Sequence, residues 1–235
     1  MPWMIDYSTL PIKDFQTSHS LMMVSVTAPG MPTIRSWLDS AMHKLIKITR
    51  DASGQFLSIT KLGATPKDTW RNYAGLNPRV EICTPVMCGK NRLSRWQLVC
   101  RIPKCPEGHN IIFQLMDKED DGSTPLPTFQ LIVRKGILHA RYAEITPEGK
   151  RGLLVYQELC SMDKHWDQWM TLDIEGLLTY VRGRMLVKLN GVTLWSKERY
   201  PSASRFNKAV KMAYGVYGYP GPDFTLHVKK ISYSS

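Results

Sequence analysis

The chain is a succession of short apolar runs, each closed by Gly, Pro, Asn or Asp, and this punctuation restricts its fold more than any other feature. The sharpest instance is Asn190-Gly191, set between apolar residues 185–189 and 192–195. Asn and Gly supply both positive-φ positions of a type I′ turn, so these two runs are expected to pair as a hairpin. Residues 45–49 and 56–62 flank Asp51-Ala-Ser-Gly54 in the same way. Residues 129–134 and 137–142 flank Lys135-Gly136. Further strands are expected at residues 21–27, 97–102, 111–116, 153–159, 169–174, 177–182, 210–217 and 224–232. One segment, residues 33–44, reads as a helix, because Ile34, Trp37, Leu38, Ala41 and Leu45 fall near helical spacing. About a dozen strands without alternating helices predict an all-β fold, a two-sheet antiparallel β-sandwich of the jelly-roll, concanavalin A-like kind. No repeat, low-complexity tract or linker divides residues 1–235, so one domain is expected.

Charge narrows the partners. Lys and Arg number 31 against 20 Asp and Glu, giving a net charge of +11. Such a surface favours polyanions. The basic residues recur along the body: Lys90, Arg92, Arg95, Arg101 and Lys104, then Arg134, Lys135 and Arg141, then Arg182, Arg184 and Lys188. Recurrence over several strands predicts a charged face rather than a charged tail. No recognised nucleic-acid module matches, so nucleic acid is not the expected polyanion. No apolar run approaches the length of a membrane span. The opening Met-Pro-Trp-Met-Ile-Asp has neither the basic nor the apolar region of a secretion signal. This points to synthesis in the cytoplasm, with virion association or lysis as a route out.

The five cysteines are Cys83, Cys88, Cys100, Cys105 and Cys160. Four form a near mirror image about Ser94, which places Cys83 opposite Cys105 and Cys88 opposite Cys100 if a hairpin turns there. Free buried thiols, cross-hairpin disulfides and a zinc site of two Cys-x4-Cys pairs all fit this spacing. No metal or other cofactor is assigned.

Three segments carry the chemistry: Asn77-Pro-Arg-Val-Glu-Ile82, Ile112-Phe-Gln-Leu-Met116 and Met212-Ala-Tyr-Gly-Val-Tyr217. In this order they resemble the jelly-roll polysaccharide lyases, the alginate, glucuronan and heparin lyase group. Those enzymes carry an Arg-x-Glu-Leu-Arg strand, a Gln-Ile-His strand and a Tyr-Phe-Lys-Ala-Gly-x-Tyr strand. Arg79 and Glu81 match the first, Gln114 the second, Gly215 and Tyr217 the third. Residues 166–195, with Trp-x-x-Trp and Leu-Asn-Gly, are similar to the strands that precede the third motif. The resemblance spans about residues 70–232. Among its departures, Met116 replaces the histidine, Cys83 the second arginine and Ala213 the lysine.

The resemblance implies β-elimination on a polyuronate. Abstraction of the sugar C5 proton requires donors that offset charge on the neighbouring carboxylate. A proton-transferring side chain must also lie within hydrogen-bond reach. Arg79 and Gln114 fit the donors. Tyr217 fits the acid and, amid positive charge, the base. His139, which shares a strand face with Arg141, is a replacement base. Arg141, Glu81, Tyr142, Tyr214 and Tyr219 complete the expected substrate-binding set. The contrasting reading is a non-catalytic carbohydrate-binding or structural module, such as a virion surface or tail protein, with virion or homo-oligomer contacts. Asp173-Ile-Glu175 puts two acids on one strand face, as glycosidase pairs require, without a third acid of the sandwich glucanases. Residues 117–122 hold calcium-like oxygens but lack EF-hand spacing.

Overall fold

The computed structural model describes residues 2–10, 23–28, 31–34, 45–63, 79–89, 91–119, 126–203, 207–218 and 221–235. Among them run sixteen strands. They are β1 Trp3–Asp6, β2 Met23–Ala28, β3 Met31–Ile34, β4 Ile46–Asp51, β5 Gly54–Lys61, β6 Arg79–Gly89, β7 Leu93–Arg101 and β8 His109–Glu119. The remainder are β9 Leu126–Arg134, β10 Ile137–Ile145, β11 Arg151–Ser161, β12 Met170–Leu177, β13 Gly183–Leu189, β14 Val192–Tyr200, β15 Asn207–Gly218 and β16 Phe224–Ser234.

The strands form two eight-stranded sheets. The front sheet runs β11-β10-β9-β8-β15-β6-β2-β3. The back sheet runs β14-β13-β12-β7-β16-β5-β4, with β1 lying along the part of β16 that β5 leaves open. The pairings of the described strands are antiparallel, so the expected all-β antiparallel sandwich is the fold observed. Period-two burial produces it. On the back sheet Trp96, Leu98 and Cys100 point inward from β7, and Leu172 and Ile174 do so from β12. Facing them from the front sheet are Phe113 and Leu115, Phe129, Leu131 and Val133, and Val80 and Ile82. The rings of Trp96 and Phe113 meet edge-on across the interior, 6.3 Å between centroids.

The turns follow their sequence signals. Asn190 and Gly191 have φ of 50° and 82°, and Lys135 and Gly136 have 49° and 72°. Both pairs therefore supply the left-handed backbone that a tight hairpin needs. The β4–β5 hairpin closes on the pair Asp51 and Gly54, with Asp51 Oδ1 accepting from Ser53 N at 2.7 Å.

Four expectations change. The cysteine mirror does not form a hairpin, because β6 lies in the front sheet and β7 in the back sheet. Cys83 is paired with Ala213, while Cys100 is paired with Met170. Cys83, Cys100, Cys105 and Cys160 are free thiols. Burial pushes Cys83 up to about 12 and Cys100 higher still, which keeps both as unreactive thiols. Residues 177–182 are not a strand: β12 ends at Leu177, and Thr179 turns back to Ser202, whose Oγ accepts from its N–H at 3.0 Å. The expected helix at 33–44 does not start where its spacing suggests, since Met31–Ile34 is strand; residues 35–44 lie outside the described residues. Finally, the basic residues do not share one face. Arg134 and Arg141 are on the front sheet, but Arg95, Arg184 and Lys188 are on the back sheet. Among the described residues no helix is long and apolar enough to cross a membrane.

Candidate functional site

The face of the front sheet turned away from the core carries the polar residues left over by the alternation. On β6, Val80 and Ile82 point inward, so Arg79, Glu81 and Cys83 point outward. The same parity sends Gln114 outward from β8, Gln130 and Arg134 from β9, and His139 and Arg141 from β10. Tyr217 stands opposite Arg79 in register, and the Arg79 guanidinium lies 4.3 Å from its ring centre. Arg79 Nε is buried with no hydrogen-bond partner among the described residues.

A directed chain of hydrogen bonds crosses this face. Arg141 Nε donates to Gln130 Oε1. Gln130 Nε2 donates to Gln114 Oε1 at 2.8 Å, and Gln114 Nε2 donates to Glu81 Oε1 at 2.6 Å. At the other end Arg141 Nη1 donates to the Tyr156 hydroxyl at 2.8 Å. Every amide dipole is thus aligned from the guanidinium toward the carboxyl. The last link spans β15, which lies between β8 and β6. It can do so because β15 presents Ala213 opposite Gln114 and Gly215 opposite Glu81. Gly215 has φ of 140°, and an added Cβ would run into the Val80 carbonyl and stand 2.8 Å from Glu81 Cα.

Burial sets the electrostatics. Glu81 is 2% exposed, and burial pushes its carboxyl up to about 7 against the pull of Arg79, Gln114 and Lys211. Below that pH it is largely uncharged and does not repel an anion. His139 directs its ring toward β11: Nδ1 is 3.1 Å from the Ile137 carbonyl and Nε2 is 3.8 Å from Glu158.

The expected site residues therefore divide. Arg79, Glu81, Gln114, Tyr217, His139 and Arg141 share one face. Tyr214 does not: it points into the core, where its hydroxyl meets that of Tyr7 at 2.5 Å. The odd spacing of Tyr214 and Tyr217 is the reason, since residues three apart on a strand lie on opposite faces. Tyr142 also points inward and stacks on Trp195, 5.4 Å between centroids. Tyr219 lies outside the described residues. The sequence reading missed Gln130, Tyr156 and His109. A lone glutamine in the apolar run of β9 was the one signal available for Gln130.

The acids Asp173 and Glu175 share a face of β12, but on the back sheet. They line a cavity of about 470 Å³ with Arg95, Gln97, Lys188 and Ser232. Glu175 is bridged to Arg95 at 2.7 Å and also to Arg184, and Asp173 accepts from Gln97 at 2.9 Å. Glu175 is thus paired with two guanidiniums and Asp173 with one amide. Among the described residues no group of three His, Cys, Asp or Glu could hold a metal ion.

No protein-family model and no curated protein matches the sequence. Solved structures do match. The endo-β-1,4-glucuronan lyase of the fungus Trichoderma reesei superposes with a TM-score of 0.66 at 10% identity, over 90% of this chain and 94% of that one. Family 7 alginate lyase A1-II′, solved in complex with substrate, gives 0.66 at 15% identity over 95% of each chain. Alginate lyase PA1167 of Pseudomonas aeruginosa gives 0.59 at 16% identity, over 92% and 98%. The fold is therefore the jelly roll of the polysaccharide lyases that the three motifs resemble. The same fold also serves other chemistry: a mixed-linkage glucan GH16 protein of Bacteroides ovatus, in complex with product, gives 0.56 at 10% identity over 99% of each chain.

Proposed function

We propose that the outward face of the front sheet binds a polyuronate and cleaves it by β-elimination, with Tyr217 moving the proton. The observation that carries this reading is the pair Arg79 and Tyr217, stacked at 4.3 Å beside the Gln114–Glu81 link. Arg79 is only half-buried, and its guanidinium supplies a donor for the uronate carboxylate. Gln114 is held in one orientation by bonds on both sides, so its amide is preorganised rather than free to rotate. With that carboxylate neutralised, the C5–H bond breaks and its proton passes to the Tyr217 oxygen, which must enter the step as the phenolate to accept it. The electron pair forms the C4–C5 double bond as the C4–O bond breaks, and Tyr217 returns the proton to the departing oxygen. Its products are an unsaturated uronate and a new chain end. His139 is buried and oriented toward Glu158 on β11, so this scheme gives it no part in the proton transfer.

The fold supports the reading only as far as architecture, since the same jelly roll also hosts a GH16 protein. One specific observation favours a second reading, binding without cleavage. Met116 stands where the resembling enzymes carry a histidine, facing Lys211 across β8 and β15. A single experiment separates the two. Incubation with alginate and glucuronan is followed by absorbance of the unsaturated product and by retention on the immobilised polymer. Lyase action predicts a rising absorbance that Tyr217→Phe abolishes while retention persists. Retention with a flat absorbance at every pH tested assigns the protein to binding alone. Loss of retention removes both readings.

A further inference from the structure

The end of the front sheet remote from Tyr217 holds a second concentration of positive charge. Arg134 and Arg141 place their guanidinium carbons 5.7 and 5.4 Å from the ring centre of Tyr156 on β11. Tyr156 is 38% exposed and ties its hydroxyl to Arg141. His109 stands opposite Arg134 in register, and His139 lies two residues from Arg141 on β10. The field is unbalanced: burial, then the charges of Arg134, Arg141 and His139, pull His109 down to about 4. Glu158 is the acid nearby, 3.8 Å from His139 and 73% exposed. Neither guanidinium forms an ion pair with an acid among the described residues.

Two guanidiniums on one aromatic ring suit a particular guest. The planar fork matches a carboxylate in two-point contact, and the exposed ring offers an apolar surface for a sugar. Arg141 is already held at Nε and Nη1, so its position is fixed before any ligand arrives. Arg134 makes no side-chain hydrogen bond to another described residue that would compete for its donors. We infer that Arg134, Arg141 and Tyr156 form a second carboxylate subsite for the same polyuronate, so that the sugar chain lies across the strands from β6 toward β11. This rests on the polyuronate reading above. Four strand spacings separate Tyr217 on β15 from Tyr156 on β11, about 19 Å. A short oligosaccharide held at Arg79 therefore cannot reach the second subsite, whereas a longer one can.

Chain length provides the test. Calorimetry is run with oligouronates of three and six sugars on the full chain. Arg134→Gln should weaken binding of the six-sugar chain about tenfold, as loss of a charge-assisted contact predicts, and leave the three-sugar chain unchanged. Arg134→Lys, which keeps the charge without the fork, should recover part of the loss. Arg134 is partly exposed, so an unchanged unfolding temperature in both variants confirms that the fold is intact. Wild-type affinity for the six-sugar chain in Arg134→Gln overturns the inference, as does an equal loss at both lengths. If the unaltered protein binds neither length, the polyuronate reading itself fails, and the second subsite fails with it.

Discussion

Glu81 shows how one buried residue governs both stability and the charge offered to a ligand. Its carboxyl sits at about 7 in the folded chain, above the ordinary 4.5. A raised carboxyl binds its proton more tightly when folded, so the stability it contributes is full below about 4.5 and is lost as pH rises to about 7. Glu81→Gln keeps an acceptor for Gln114 but cannot ionise. It should raise the melting temperature at pH 8 by several degrees and change it little at pH 5, in thermal scans of both proteins. The neighbouring Gln130 is 1% exposed and is bonded on both sides. Gln130→Leu leaves the Gln114 carbonyl and the Arg141 Nε–H without that partner. A loss of about 1–3 kcal/mol in denaturant unfolding follows from an unsatisfied buried group. Polyuronate retention should fall with it, because Gln114 is then free to turn. Neither role was legible from residue type. Parity along β9 puts Gln130 outward, but which amide it meets depends on the order of strands in the sheet.

At the scale of elements, β15 is the strand on which the face depends. It separates β8 from β6, and its small residues let the Gln114 side chain cross to Glu81. Gly215→Ala should destabilise the chain by about 1–3 kcal/mol, because the left-handed backbone and the Val80 carbonyl leave no space for a Cβ. It should also shift the β15–β6 contact, read as faster amide exchange on both strands. Ala213→Leu tests the crossing separately: the fold should survive, but the added bulk lies in the path of Gln114, so retention should fall. The hairpins offer a contrast. Gly191 has open space around it and needs only its positive φ, so Gly191→Ala should cost no more than about 1–2 kcal/mol in the same unfolding measurement. Hairpin turns of this kind were readable in the sequence because their chemistry is local.

For the whole molecule, arginines among the described residues fall on two faces that use their charge differently. On the back sheet Glu175 bridges Arg95 and Arg184, which consumes charge within the protein. On the front sheet Arg79, Arg134 and Arg141 lie on tyrosine rings instead. Retention on a polyuronate should therefore weaken as salt rises from 50 mM to 500 mM, and a neutral glucan should not be retained at any salt, as column elution would show. The sequence by itself determined the all-β sandwich, its tight turns and the outward parity of Arg79, Glu81 and Gln114. Each of these follows from period-two alternation and from turn residues, which act over a few positions of chain. It could not place β6 and β7 in different sheets or separate the arginines of the two faces, whereas the inward facing of Tyr142 and Tyr214 was already implied by their odd spacing from His139 and Tyr217. Sheet membership and strand order decide those two outcomes, and both are settled by long-range packing. The face with Arg79 and Tyr217 at one end and Arg134 and Tyr156 at the other exists only once the front sheet has assembled.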